Sequence, residues 1–233
     1  FIAAARSPSF HGFLAADRAG LPYALCPREP SEDARLRREV GRTPALIRAI
    51  ELFRLQRPHW AALEWQAAVA GMDDTRRVLA VRAAQRAGWF DRALFGLPAT
   101  EAALLYYSLR FPLPHRSLLQ RESERHGLET ALVAGLTRAE SAFMTDARSP
   151  ADARGLMQLL PSTAEAELGI PINKIYDIEL NVCGGVSYLG RHLQRYSGVQ
   201  VAALRRYYGG GEEWEYPRPV LERYGRIVKE IRR

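Results

Sequence analysis

Lysine is almost missing. Of the 33 basic residues only Lys174 and Lys229 are lysines, so the net charge of +7 is an arginine charge. Cysteine is confined to Cys26 and Cys183, far apart and in unlike surroundings. That excludes a disulfide framework and a cysteine-built metal site, and two unpaired thiols are expected. No apolar run reaches the roughly 18 residues a membrane-spanning helix needs. No basic-then-apolar leader opens the chain, which begins at Phe1 instead of Met. The expectation is a processed or trimmed piece of something longer, with any export signal removed. Alternating strand patterns are absent too; only Pro171 to Tyr176 has the look of a segment that could pair briefly. No phosphate-cradling loop and no Cys/His cluster appears.

What is present is globular. The 233 residues are 47% hydrophobic and 25% charged, enough for one large or two small domains and too apolar for disorder. A positive balance favours acidic or polyanionic partners. The arginines are spread, as in Arg76, Arg77, Arg82 and Arg86, in the manner of a solvated surface. With no basic tract and no base-reading module, nucleic acid is not an expected partner.

Nearly everything reads as helix. Pro44 opens a stretch with Leu46, Ile47, Ile50 and Phe53 at helical spacing that ends before Pro58. Trp60 to Gly71 is a second helix. Asp74 is expected to cap Thr75 to Gly88, and Thr100 to cap a further segment. Short helices with brief connections suggest antiparallel pairs stacked as a solenoid, without a strict period. Arg110-Phe111-Pro112-Leu113-Pro114 breaks the pattern twice, which places a boundary between residues 1–113 and 114–233. Helices follow at His115 to His126, Glu129 to Phe143, a Ser162-x-x-Glu165 capping box running to Gly169, a long helix capped by Asp177, Val199 to Tyr207, and a last one from Pro219.

The helix from Glu129 carries the chemistry. Val133, Leu136 and Phe143 mark an apolar stripe, and Glu140 sits inside it, four residues after Leu136 and three before Phe143. Arg138 falls on another face. A carboxylate in an apolar stripe is costly when ionised, so its proton affinity is expected to rise, as a general acid requires. On spacing alone, a part-buried Glu bonded to a nearby Ser, Tyr or backbone group satisfies the pattern equally. Downstream, Ser149-Pro150-Ala151-Asp152-Ala153-Arg154-Gly155-Leu156-Met157-Gln158 is a loop with glycine at its centre, and Gln158 supplies both amide donor and acceptor. Asp146, Asp152, Asp177 and Glu179 are carboxylates in loop or capping context.

Glu140-Ser141-Ala142-Phe143 followed by Gly155-Leu156-Met157-Gln158 resembles the soluble lytic transglycosylases, which cleave peptidoglycan. Leu109 to Pro114, His11 to Ala16, Leu21-Pro22-Tyr23, and Asp177-x-x-x-Asn181-Val182 with Gly185 and Tyr188-Leu189 extend the likeness over most of the chain. The resemblance implies a mainly α protein: an α-helical superhelix segment followed by a lysozyme-like, mostly helical catalytic domain. It implies cleavage of the β-1,4 bond between N-acetylmuramic acid and N-acetylglucosamine by a lytic transglycosylase, with Glu140 as the catalytic acid and base. It implies a 1,6-anhydromuramyl product and no part for a metal or cofactor. Ser149, Met157, Gln158, Tyr207 and Tyr216 are the substrate-binding residues it implies, with a plain core role for Met157 equally open; peptidoglycan strands are the partner, and the periplasm or cell envelope the location. The third motif departs from the family. Arg206-Tyr207-Tyr208-Gly209-Gly210 stands where Ala-Tyr-Asn-Ala-Gly is usual, Leu160 replaces a second methionine, and the stretch from Gly211 to Tyr216 is short. A hydrolytic muramidase of the same fold, or a helical glycan-binding scaffold without turnover, are the alternatives.

Overall fold

A computed structural model describes residues 1–7, 10–24 and 27–209 of the chain. It is helical throughout and holds no strand among the described residues, only isolated antiparallel bridges. The chain divides into two compact units, Phe1–Pro112 and Leu113–Arg233.

In the first unit, helices α1 (Phe10–Ala19), α2 (Ala34–Gly41), α3 (Pro44–Arg54), α4 (Pro58–Val69), α5 (Asp74–Arg86), α6 (Phe90–Phe95) and α7 (Tyr107–Arg110) follow one another. Pro44 and Pro58 each occupy a first helical position, where the missing N–H breaks no bond and the fixed φ suits a helix. Ala49 on α3 and Ala61 on α4 are fully buried, so these two helices approach closely. Phe53 stacks on Trp89 at 4.9 Å between centroids, and Trp65 meets Trp89 edge-on at 5.7 Å. Two local readings change. Asp73, not Asp74, caps α5, accepting from the Arg76 N–H at 2.8 Å, and the helix ends at Arg86. Thr100 makes no side-chain cap, and the residues after it form a 3-10 helix, Glu101–Leu105.

The second unit contains α8 (Arg116–Arg125), α9 (Thr130–Ser141), α10 (Pro161–Leu168), α11 (Ile178–Arg195) and α12 (Gln200–Tyr207). The long α11 packs against α8, α10 and α12. Asp177 caps it as expected, accepting from the Leu180 N–H at 3.0 Å. The expected capping box at Ser162 does not form. Pro161 takes the first helical position, so Leu160 becomes the cap residue, and Glu165 accepts instead from the Ile172 N–H at 3.4 Å. Ile172–Lys174 is a 3-10 turn instead of a paired segment. The helix expected from Pro219 lies outside the described residues, as does Cys26, while Cys183 is a free, half-buried thiol. No described helix is long and apolar enough to cross a membrane.

Candidate active site

Helix α9 is buried over almost its whole length, from Ala131 to Arg138 and again at Ser141. Its hydroxyls are consumed locally: Thr137 donates to the Val133 carbonyl at 2.9 Å and Ser141 to that of Thr137 at 3.1 Å. The helix stops two residues earlier than the apolar stripe suggested, because Ala142 and Phe143 both adopt left-handed backbone, φ 52° and 63°. For residues with a Cβ that conformation costs about 1–2 kcal/mol each and survives only where packing enforces it; both side chains are buried. Glu140 therefore lies in the last turn of α9, half-buried, with Ala139 beside it.

The two residues open into a cleft of about 740 Å³. Its second wall is the loop between α9 and α10, which folds on itself. Arg154 and Leu159 exchange N–H···O bonds at 2.9 and 3.0 Å, and the Gly155 N–H reaches the Ala147 carbonyl at 2.9 Å. Ser149 and Gln158 line the cleft from this loop. The Ser149 hydroxyl accepts from the Ala153 N–H at 3.1 Å, and its carbonyl accepts from the Asp152 N–H at 2.9 Å. The Gln158 side-chain nitrogen donates to the carbonyls of Ala147 at 3.1 Å and Gly155 at 2.9 Å. Its two N–H groups are thus committed to the loop, and its oxygen is the atom left to meet a ligand.

Beneath the loop, Asn181 of α11 is 1% exposed and bonds three backbone groups. Its oxygen accepts from the Met157 N–H at 2.8 Å, and its nitrogen donates to the carbonyls of Arg154 at 3.0 Å and Ile175 at 2.8 Å. Gly155, at φ 76°, leaves the space Asn181 needs: a Cβ there would stand 2.5 Å from Nδ2. Of the two roles open to Met157, the substrate-binding one is corrected and the core one holds. The side chain is fully buried and not on the cleft wall, because Gly185 of α11 makes room for it; a Cβ on Gly185 would come within 2.6 Å of both Met157 Cβ and Sδ. Its backbone still serves the site, since the Tyr207 hydroxyl donates to the Met157 carbonyl at 2.7 Å.

Tyr207, at the end of α12, faces the cleft with its ring edge-on to Tyr188 at 5.4 Å. Burial pushes its phenol well above the ordinary range, and the nearby Glu140 charge pushes the same way. Tyr207 is therefore a neutral hydrogen-bond donor beside the carboxylate. Tyr216 lies outside the described residues. Of the other carboxylates, Asp177 caps α11 and Glu179 pairs with Arg121 at 2.8 Å. Asp152 is gripped by Arg154 and Arg148, and the Arg154 hydrogen bond is the main reason its carboxyl sits below the usual range. Other cleft residues carry weaker signals in the sequence: Tyr188 is legible only as part of the long helix, Arg206 only as a departure from the family motif, and Glu167, at the exposed end of α10, gives none.

A helical unit whose cleft is bounded by one half-buried glutamate, a knotted Gly-centred loop and an aromatic pair is the arrangement of a lysozyme-like domain. Residues 117–216 match the family described as the transglycosylase SLT domain, and residues 39–102 the soluble lytic murein transglycosylase L domain. The soluble lytic murein transglycosylases of Salmonella typhimurium and Escherichia coli K12 are 27% and 28% identical over 210 residues, covering 86% of this chain and 32% of those. The X-ray structure of an inactive Glu-to-Gln mutant of the lytic transglycosylase Slt from Pseudomonas aeruginosa superposes with TM-score 0.82 at 29% identity, over 98% of this chain and 42% of that one. The 70 kDa enzyme SLT70 of Escherichia coli, 22% identical, shares the fold at TM-score 0.83, with the same coverage. The chain belongs to the soluble lytic transglycosylase family and spans about a third of the length of the curated relatives it matches.

Proposed function

We propose that the chain acts as a lytic transglycosylase on peptidoglycan in the cell envelope, breaking the β-1,4 bond between N-acetylmuramic acid and N-acetylglucosamine. The observation that carries this reading is the placement of Glu140 on one cleft wall with Ser149, Gln158 and Tyr207 around it, drawn from three separate segments. Glu140 gives its proton to the glycosidic oxygen as the C1–O bond breaks, and the muramyl C1 becomes electron-poor. The C6 hydroxyl of the same ring then attacks C1, and the Glu140 carboxylate takes its proton. The product is the 1,6-anhydro sugar and the acid is regenerated. Both reactants of the second step belong to one sugar, so the attack is intramolecular and saves several kcal/mol of ordering entropy. The last turn of a helix, where the negative end of the macrodipole lies, favours the neutral carboxyl before the first step. The neutral Tyr207 adds no charge that would oppose the carboxylate in the second. Ser149 and the Gln158 oxygen bind the glycan in this reading. Digestion of purified sacculi, with product masses read beside a Glu140→Gln control, tests it. Anhydromuropeptides from the wild type and none from the variant are expected; equal release by both refutes the assignment.

Glu167 supports a second reading. It is a second carboxylate among the cleft's described residues, and a hydrolytic muramidase would use such a group to activate water. Products heavier by one water, with reducing muramic acid ends, identify that chemistry.

A further inference from the structure

His192 of α11 is 7% exposed, and its Nε2 has no hydrogen-bond partner among the described residues. An apolar side chain would fill the same space without burying a bare polar atom. What the imidazole makes there is a ring contact. It meets Tyr188, one turn earlier on α11, edge-on at 4.4 Å between centroids. Tyr188 in turn meets Tyr207 of α12 edge-on at 5.4 Å, and the Tyr207 hydroxyl donates to the Met157 carbonyl at 2.7 Å. The three rings form a row from the buried His192 to the cleft, which Tyr188 and Tyr207 line together with Glu140. His192 lies behind that wall and does not border the cleft.

We infer that His192 is a positioning residue for the proposed reaction: its ring backs Tyr188, Tyr188 backs Tyr207, and the row sets where the Tyr207 hydroxyl stands beside Glu140. The inference rests on the proposed activity and adds to it a residue outside the cleft. Rings packed edge-on resist sliding, because the edge of one sits against the electron-rich face of the next. Only the neutral imidazole serves. Protonation puts hydrogens on both ring nitrogens, and the one on Nε2 has no acceptor. It also adds charge where positive charge is concentrated: Arg206 on α12 and Arg195 and Arg191 on α11 act on the ring, against Glu167 on α10. From the end of α8, the remaining neighbour, His126 comes against Gly190 of α11, where a Cβ would lie 3.6 Å from its own. Burial first, then Arg206 and Arg195, hold the imidazole below the ordinary histidine range, with Glu167 opposing. Near neutral pH the row is therefore intact, and acid drives the charged ring toward water and away from Tyr188.

Two measurements test this. In the Glu140→Gln background, where that carboxyl no longer titrates, the ring NMR signals of Tyr207, assigned with Tyr207→Phe, are followed against pH beside those of the His192 imidazole. Tyr207 should shift along the His192 curve with a shared midpoint, and the shift should vanish in His192→Phe. This arm needs no substrate. The second measures turnover of soluble peptidoglycan strands between mildly acid and neutral pH. His192→Ala should lower kcat about tenfold near neutral pH and leave KM within about twofold, since it disturbs placement without touching the glycan. His192→Phe keeps a ring and should stay within about twofold of wild type there. On the acid side of the ordinary histidine midpoint of about 6.5 it should outrun wild type, because it has no proton to gain. Tyr207 signals that ignore the His192 midpoint, an alanine variant with wild-type kcat, or an acid limb unchanged by phenylalanine would each overturn the assignment. Coupled NMR shifts with no turnover by any form would instead sink the proposed reaction, so the two failures are read separately.

Discussion

Asn181 is the point at which the loop carrying Gln158 is attached to the rest of the unit, and its replacement by alanine tests whether the site depends on that attachment. The side chain is 1% exposed and makes three hydrogen bonds to backbone groups from Arg154, Met157 and Ile175. Each bond contributes on the order of 1 kcal/mol net, and an orphaned buried N–H, here that of the fully buried Met157, costs about 1–3 kcal/mol. Allowing for overlap between those terms, Asn181→Ala should destabilise the unit by about 3 kcal/mol. For a domain of this size that lowers the melting temperature by roughly 10 °C, measurable by scanning calorimetry or circular dichroism. At temperatures where the variant is still folded, sacculus solubilisation should fall about tenfold or more, because Met157 also presents the carbonyl that holds Tyr207. Asn181→Asp is the sharper control. It preserves shape and the acceptor for the Met157 N–H but turns a carboxylate toward the Arg154 and Ile175 carbonyls, so at neutral pH it should be no better than alanine. A melting temperature within about 2 °C of wild type for Asn181→Ala would refute the reasoning.

Gly185→Ala should cost about 1–3 kcal/mol by overpacking, since the added methyl would meet Met157 at 2.6 Å, and Met157→Ala in the same chain should recover part of the loss in a thermal melt. Tyr207→Phe removes the 2.7 Å bond to Met157 and should lower stability by about 1 kcal/mol near neutral pH. Because the folded state holds this phenol neutral well above the ordinary range, wild-type stability should fall as pH rises past about 10, and denaturant titrations of Tyr207→Phe should fall less. Asp152 behaves in the opposite sense. Its carboxyl is held low by Arg154 and Arg148, so the stabilisation is present above about pH 4 and lost as pH falls below it. Asp152→Asn should therefore melt below wild type at pH 7, with the gap narrowing as the pH is lowered through the carboxyl's depressed range.

Elements with a local physical cause were legible in the chain. Proline at a first helical position fixed the start of α3 and Asp177 announced the cap of α11, whereas α4 begins at Pro58, two residues before the Trp60 start that the spacing suggests. Readings failed where two local signals competed. Ser162 and Glu165 spell a capping box, but Pro161 one residue earlier already satisfies the helix start, which leaves Glu165 to bond across the turn to Ile172. Phe143 continues the apolar stripe of α9 by spacing, yet the helix has ended; its ring is buried through a left-handed turn that no pattern of period 3.6 can express.

The cleft shows the same division more sharply. Glu140, Ser149 and Gln158 fall within one short stretch, and a carboxylate in an apolar stripe is a local anomaly that a sequence displays. What holds them in place comes from elsewhere. Asn181 supports the loop from a helix more than twenty residues away, and Gly185 and Gly155 act only through the volume they do not occupy. An absence of side chain has no meaning until its neighbour is known, which is why the sequence leaves Met157 open between cleft and core and the structure places it beneath the cleft. Its hydrogen-bonding atoms nonetheless link the loop to both α11 and α12: the N–H to Asn181, the carbonyl to Tyr207. The loop wall across the cleft from Glu140 is thus held in part by backbone atoms of a residue whose own side chain never reaches the cleft. Substitutions at Asn181, Gly155 and Gly185 should therefore disturb turnover as surely as changes to the residues that line it.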